Sequence, residues 1–140
     1  MLKPKELLQR VELLIKSGKY KKINGRLSDG TCGRCYLGLA AQVLVDEGYY
    51  EWRSDVEHEI FLVPTAKGLE EGLNEHHMQS NLPKATNIPR DIFYNGKIVP
   101  IYDLNDEIHE TKVKDFAEIH EIVSQCILGT KENNSPAENV

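Results

Sequence analysis

The sequence predicts a small single α+β domain. Three observations carry that reading. Amphipathic helical stripes stand near both ends, a nearly all-apolar helix follows the run GTCGRC, and two β-rich runs flank Asn95-Gly96. A length of 140 residues is enough for one domain with its own core.

Taken in order, Leu7, Leu8, Val11, Leu14 and Ile15 form one stripe of a helix from Pro4 to Ser17. Pro4 suits its first turn and Gly18 the position just past its end. YKKINGRLSDGT, with Asn24-Gly25 and Asp29-Gly30, reads as a short hairpin or an irregular basic loop. RCYLGLAAQVLVDE, Arg34 to Glu47, is apolar nearly all round, so this helix should be the buried centre, with Leu37, Ala40, Ala41, Val43 and Leu44 covered. Gly38 inside it costs about 1 kcal/mol against alanine and implies that another element packs close. Gly48 ends it.

YYEWRSDVEHEIFLV suggests one or two short strands, the better one Glu59 to Val63. Tyr49, Tyr50 and Trp52 are an aromatic group that suits either an exposed anchor or a second small core. Pro64 to Met78 reads as a helix, weakened by Gly68 and Gly72. NLPKATNIPR reads as a loop. DIFYNGKIVPIYDL is the strongest hairpin signal, with Pro100 marking an edge strand or bulge and Leu104 anchoring the strand end. After a polar connector from Asn105 to Glu110, Val113, Phe116, Ile119, His120, Val123 and Ile127 mark a second amphipathic helix ending near Gly129. Residues 1–129 are thus one domain, and 130–140 a polar tail without periodicity, read as disordered.

No apolar run approaches the roughly 20 residues of a membrane span, and MLKPKELLQR is too polar for a secretory signal. The odd count of three cysteines argues against a secreted disulfide framework. A cytoplasmic protein with reduced thiols is expected. The net charge of −5 is unevenly spread: residues 1–36 hold nine Lys or Arg against three acids, the remainder eight against nineteen. Lys19, Lys21, Lys22, Arg26 and Arg34 concentrate the basic excess, which would meet phosphate or an acidic partner unless it serves only as a solvated loop.

Cys32-Gly33-Arg34-Cys35 raises the question of a working thiol pair. A zinc site needs four ligands, and no second CxxC or HxxxH exists; His76 and His77 are adjacent and diverge on a helix. LSDGT before the pair is a turn, not the strand of a thioredoxin-like motif. No metal or cofactor is expected. Cys35 in a helix first turn, beside Arg34, has the setting of a nucleophile, with Asn105 and Asp106 as orienting groups and no histidine singled out as base. Against this, Cys35 fits equally as a small buried residue beneath the first helix, and an enzyme is the less favoured reading.

The blocks Ser17-Gly18-Lys19-Tyr20 with Gly25-Arg26-Leu27, Cys35-Tyr36-Leu37-Gly38-Leu39, and Leu104-Asn105-Asp106 with Phe116-Ala117-Glu118-Ile119 stand in that order. They resemble a family of small phage and prophage proteins of unknown function that carry SGKY…GxL…CxLG…LND…FxxIA over most of their length. The likeness covers both ends and the apolar helix. Residues 49 to 95 do not match, and His120 stands where the family has alanine. The resemblance implies a phage or prophage setting, in the cytoplasm of a host cell, and brings no activity with it.

The function expected first is therefore a non-enzymatic phage accessory protein that binds a host or phage macromolecule, with a host or phage protein as the expected partner. The sequence says nothing of its oligomeric state. Its sharpest site hypothesis is an anion site at the GTCGR turn. Backbone N–H groups open the helix there, Gly30 and Gly33 permit close approach, and Lys19, Lys21, Lys22, Arg26 and Arg34 surround the turn. Asn105 and Asp106 would join if the fold brings the last connector alongside. The alternative is that Thr31 or Asp29 caps the helix. A second function reading is a small enzyme or anionic-ligand binder centred on Cys35. A third is a winged-helix DNA binder, since EIFLVPTAKGLEEGLNEH resembles a wing strand and its following helix. The all-apolar second helix and the overall acidity make nucleic acid the weaker partner.

Overall fold

The computed structural model describes residues 2–57, 59–76, 86, 88–94, 96–106 and 115–128. His58, His77, Met78, Asn95, His109, Val113 and the 130–140 tail lie outside the described residues. The architecture is α+β, as the patterning predicts.

Helix α1 runs Pro4–Ser17. Its start is closed by Glu6, whose carboxylate accepts the Lys3 backbone N–H at 3.1 Å, and its end by Gly18 in the left-handed region at φ 71°. Leu7, Leu8 and Val11 are buried, while Leu14 and Ile15 pack at the edge of the core. Two-residue strands β1 (Lys21–Lys22) and β2 (Gly33–Arg34) pair in parallel, Lys21 opposite Gly33 and Lys22 opposite Arg34. The stretch between them, residues 23–32, is therefore irregular, and a parallel pairing stands in place of the hairpin.

Helix α2 runs Tyr36–Asp46, two residues later than its apolar pattern suggests. Arg34 is held in the ladder, because its carbonyl accepts the Ile23 N–H at 2.9 Å. Cys35 takes extended backbone and becomes the N-cap. Every residue from Tyr36 to Leu44 is buried, and α1 and the last helix both pack on this one. Full burial of each large aliphatic side chain is worth about 1.5–3 kcal/mol, so the stack of Leu37, Leu39, Val43 and Leu44 dominates the core. Gly38 is required by contact: a Cβ there would overlap the Leu27 carbonyl oxygen.

Strands β3 (Tyr50–Ser54) and β4 (Ile60–Pro64) form an antiparallel hairpin with Trp52 opposite Leu62. Tyr50 is buried, and Tyr49 and Trp52 pack against the same core, so the aromatic group extends the main core. Helix α3 is only Ala66–Glu70, capped by Thr65. The longer helix expected from Pro64 to Met78 is ended by Gly72 at φ 78°, and Leu69 stays exposed. The chain then turns back, and His76 exchanges two backbone hydrogen bonds with Leu62, at 2.9 and 3.0 Å. A lone apolar residue facing water offered nothing to hold further turns.

Strands β5 (Asp91–Tyr94) and β6 (Lys97–Pro100) form the second hairpin, with Phe93 opposite Ile98. The second strand stops at Pro100, which caps a one-turn helix α4 (Ile101–Asn105). Leu104 and Asn105 thus sit on a helix rather than at a strand end, and both are buried. The final helix α5 is Phe116–Leu128, with Phe116, Ile119, His120 and Val123 turned inward. Among the described residues, no helix is long and apolar enough to cross a membrane.

Candidate functional site

The start of α2 is where the structure gathers the residues singled out by sequence. Asp29 opens the arrangement. Its Oδ1 accepts the Thr31 N–H at 2.8 Å, the Thr31 hydroxyl at 2.9 Å and the Gly33 N–H at 2.9 Å. These bonds, Thr31's backbone first, hold its carboxyl below the usual aspartate range. Asn105 closes the other side. Its Oδ1 accepts the Tyr36 N–H, and its Nδ2 donates to the Ile23 carbonyl and to Asp106 Oδ1, each at 2.9 Å. Asp106 Oδ1 also accepts the Gly25 N–H at 2.9 Å. The Gly38 N–H goes to Cys35 Sγ at 3.2 Å.

Asn105 and Asp106 do come beside the GTCGR turn. Asn105 arrives as an acceptor, however, and takes up the Tyr36 N–H that an anion at this helix start would need, while Asp106 fastens Gly25 in the preceding loop. Neither Thr31 nor Asp29 caps α2; Cys35 does. Residues from the three sequence blocks singled out above meet here: Leu27 against Gly38, Gly25 against Asp106, Tyr36 against Asn105. Tyr36 also bonds His120 Nδ1 through its hydroxyl at 2.8 Å.

The two thiols of CGRC have opposite settings. Cys32 is exposed and Cys35 fully buried; all three cysteines are free. Burial pushes the Cys35 thiol up to about 12, the reverse of what a nucleophile requires, and its sulfur is occupied with the Gly38 N–H. His120, the buried histidine nearest in the network, bonds Tyr36 instead. Among the described residues, no group of three His, Cys, Asp or Glu side chains is placed to hold a metal ion. α2 also offers no face to a DNA groove, because it is buried from Tyr36 to Leu44.

Arg34 has a setting that its place in the sequence does not reveal. The residue is only 7% exposed, and its guanidinium carbon lies over the rings of Tyr20 and Trp52, 5.0 and 5.1 Å from their centroids. Nε and Nη2 both donate to Gln42 Oε1, at 3.3 and 3.0 Å. Nη1 reaches Ser28 Oγ at 2.9 Å and the Thr31 and Gly33 carbonyls at 2.8 Å. Burial lowers its pKa, but a guanidinium starts too high to lose its charge. No carboxylate among the described residues pairs with it. Gln42 is the polar exception in the run Tyr36–Val45, and it also receives the Trp52 indole N–H at 2.8 Å. That one polar residue in an apolar helix was the available signal, since a buried amide must find partners.

Lys19, Lys21 and Arg26 are exposed on the preceding loop, and none is paired with a carboxylate among the described residues. Lys22 is half-buried and donates to Asn24 Oδ1 at 2.9 Å. Gly33 is buried, its N–H committed to Asp29. No family model, no curated protein and no solved structure matches this chain.

Proposed function

We propose that this chain is a non-catalytic binding protein, an accessory protein of the phage type, whose basic loop engages an acidic segment of a host or phage protein. One observation carries the reading: Lys19, Lys21 and Arg26 stand exposed with no carboxylate partner among the described residues, in a chain whose net charge is −5. An acidic protein that keeps a local cationic surface steers acidic partners there and repels them elsewhere. The loop is also held in shape, by Asp29 from within and by Asn105 and Asp106 from α4. Little ordering cost therefore falls on binding.

The test is capture from host lysate, treated with nuclease, using the native chain and a Lys19→Glu, Lys21→Glu, Arg26→Glu variant. A Lys97→Glu variant on the exposed hairpin serves as control. The expected result is a salt-sensitive partner that is lost with the triple variant and kept with the control. The reading fails if all three chains capture the same proteins.

A further inference from the structure

A cleft of about 180 Å³ opens beside the buried guanidinium, lined by Ser28, Gly30, Arg34, Trp52, Arg53, Ser54 and Ile60. Two buried donors on its wall lack acceptors among the described residues. Ser28 is 4% exposed; its Oγ accepts from Gly30 N–H at 3.0 Å and from Arg34 Nη1, yet its own proton has no acceptor. Arg34 Nη2 carries two hydrogens and makes one bond, to Gln42. An unmet buried donor costs about 1–3 kcal/mol, and more when the group is charged. Both residues line the cleft, and no carboxylate among the described residues pairs with the charge of Arg34. Arg53 adds a second cation at the rim, where it pairs with exposed Glu51 on the same strand at 2.8 Å.

We propose that this cleft is a binding site for a small oxyanion, a carboxylate or a phosphate. The anion would take the Ser28 hydroxyl proton and the open Arg34 Nη2 N–H, and face Arg53 and the Ser54 hydroxyl from the other side. Trp52 and Ile60 supply apolar walls for a short stem. A cleft of about 180 Å³ has room for an oxyanion on a short stem. The site shares no residue with Lys19, Lys21 and Arg26, so it stands or falls independently of the partner proposed above.

Trp52 is the chain's single tryptophan, so fluorescence reports the cleft directly. The full chain is titrated with inorganic phosphate, with acetate, and with chloride at matched ionic strength. Fluorescence is followed together with the ¹H–¹⁵N signals of Gly30, Arg34 Nε and the Trp52 indole. A saturable response to phosphate or acetate, half-complete at roughly 1 mM or below, is expected, with none for chloride. The arm that responds tells phosphate from carboxylate. Ser28→Ala should weaken binding about tenfold. Arg53→Gln, which leaves the buried groups untouched, should weaken it about threefold. The amide spectrum of each variant checks that it folds. The proposal is overturned if neither anion exceeds chloride, or if folded Ser28→Ala binds as well as the native chain.

Discussion

Two polar constellations draw on the same stretch, residues 23 to 34, and they end differently. Around Asn105, each side-chain donor and acceptor named above meets a backbone group or Asp106, and nothing is left over. Around Arg34, two aromatic faces, one amide and two carbonyls are spent on the guanidinium, and a hydroxyl proton and an N–H remain. The first is a fastening between distant parts of the chain. The second is a buried charge that no carboxylate among the described residues answers. A glycine-rich turn at a helix start looks like an anion site from sequence, but what decides is whether the protein supplies its own acceptors. Here it does so at the turn and not in the cleft that shares Arg34.

That contrast can be broken by mutation. Leu44→Ala, a pure packing loss at a fully buried site, sets the upper scale at about 2–5 kcal/mol in urea unfolding. Asn105→Ala strands the Tyr36 N–H and the Ile23 carbonyl and should approach that scale, at about 3 kcal/mol. A loss of under about 0.5 kcal/mol would show that water replaces the amide and that the fastening is no fastening. Ser28→Ala should cost under about 1 kcal/mol, because Arg34 Nη1 keeps the Thr31 and Gly33 carbonyls. A Ser28→Ala cost equal to that of Asn105→Ala would erase the distinction between the two.

The thiols sharpen the same contrast without mutation. A thiol reagent should label Cys32 and Cys126 quickly in the folded chain, and Cys35 only as fast as the protein opens. Fast labelling of all three would mean that the start of α2 is far looser than its hydrogen bonds imply. The smallest effect expected is on acid stability. Burial lowers the His120 pKa, with Glu12 opposing, so the folded state prefers the neutral ring and the unfolded chain binds the proton more readily. With the ring proton on Nε2, the Tyr36 phenol, its ionisation suppressed by burial, donates to Nδ1, an acceptor that protonation removes. Stability from this group is therefore present above the ordinary histidine pKa of about 6.5 and lost as pH falls through it. The urea midpoint should drop between pH 7.5 and pH 5, and less so in His120→Ala. An equal drop in both chains would assign the acid sensitivity elsewhere.

How far the sequence could be read depended on the range of the interaction. Helix α1 was legible to the residue because a stripe, a proline and a glycine all lie within it. The Gly38 contact was legible as a need for space, though not as a contact with Leu27. The length of α3 was misjudged because one glycine at positive φ outweighs a weak stripe. The start of α2 slipped because a strand pairing with Lys22 holds Arg34 out of the helix. Asn105 and Asp106 were marked as site residues, but their role depends on partners 69 to 82 positions away, which no local pattern encodes. The Arg34 socket was the least legible part, since Tyr20, Gln42 and Trp52 come from three separate elements.

The fastening between Gly25 and Asp106 also sets an order of events during synthesis, since 81 positions separate them. At about 5–20 residues per second, a ribosome takes on the order of 4–16 s to travel from one to the other. During that interval α1 and α2 have left the tunnel, but the Tyr36 N–H and the Ile23 carbonyl still face water. The basic loop is then fastened only from within, by Asp29 and the pairing of β1 with β2, and it gains its second fastening when α4 emerges. A partner that needs the doubly fastened loop is thus reserved for the finished protein.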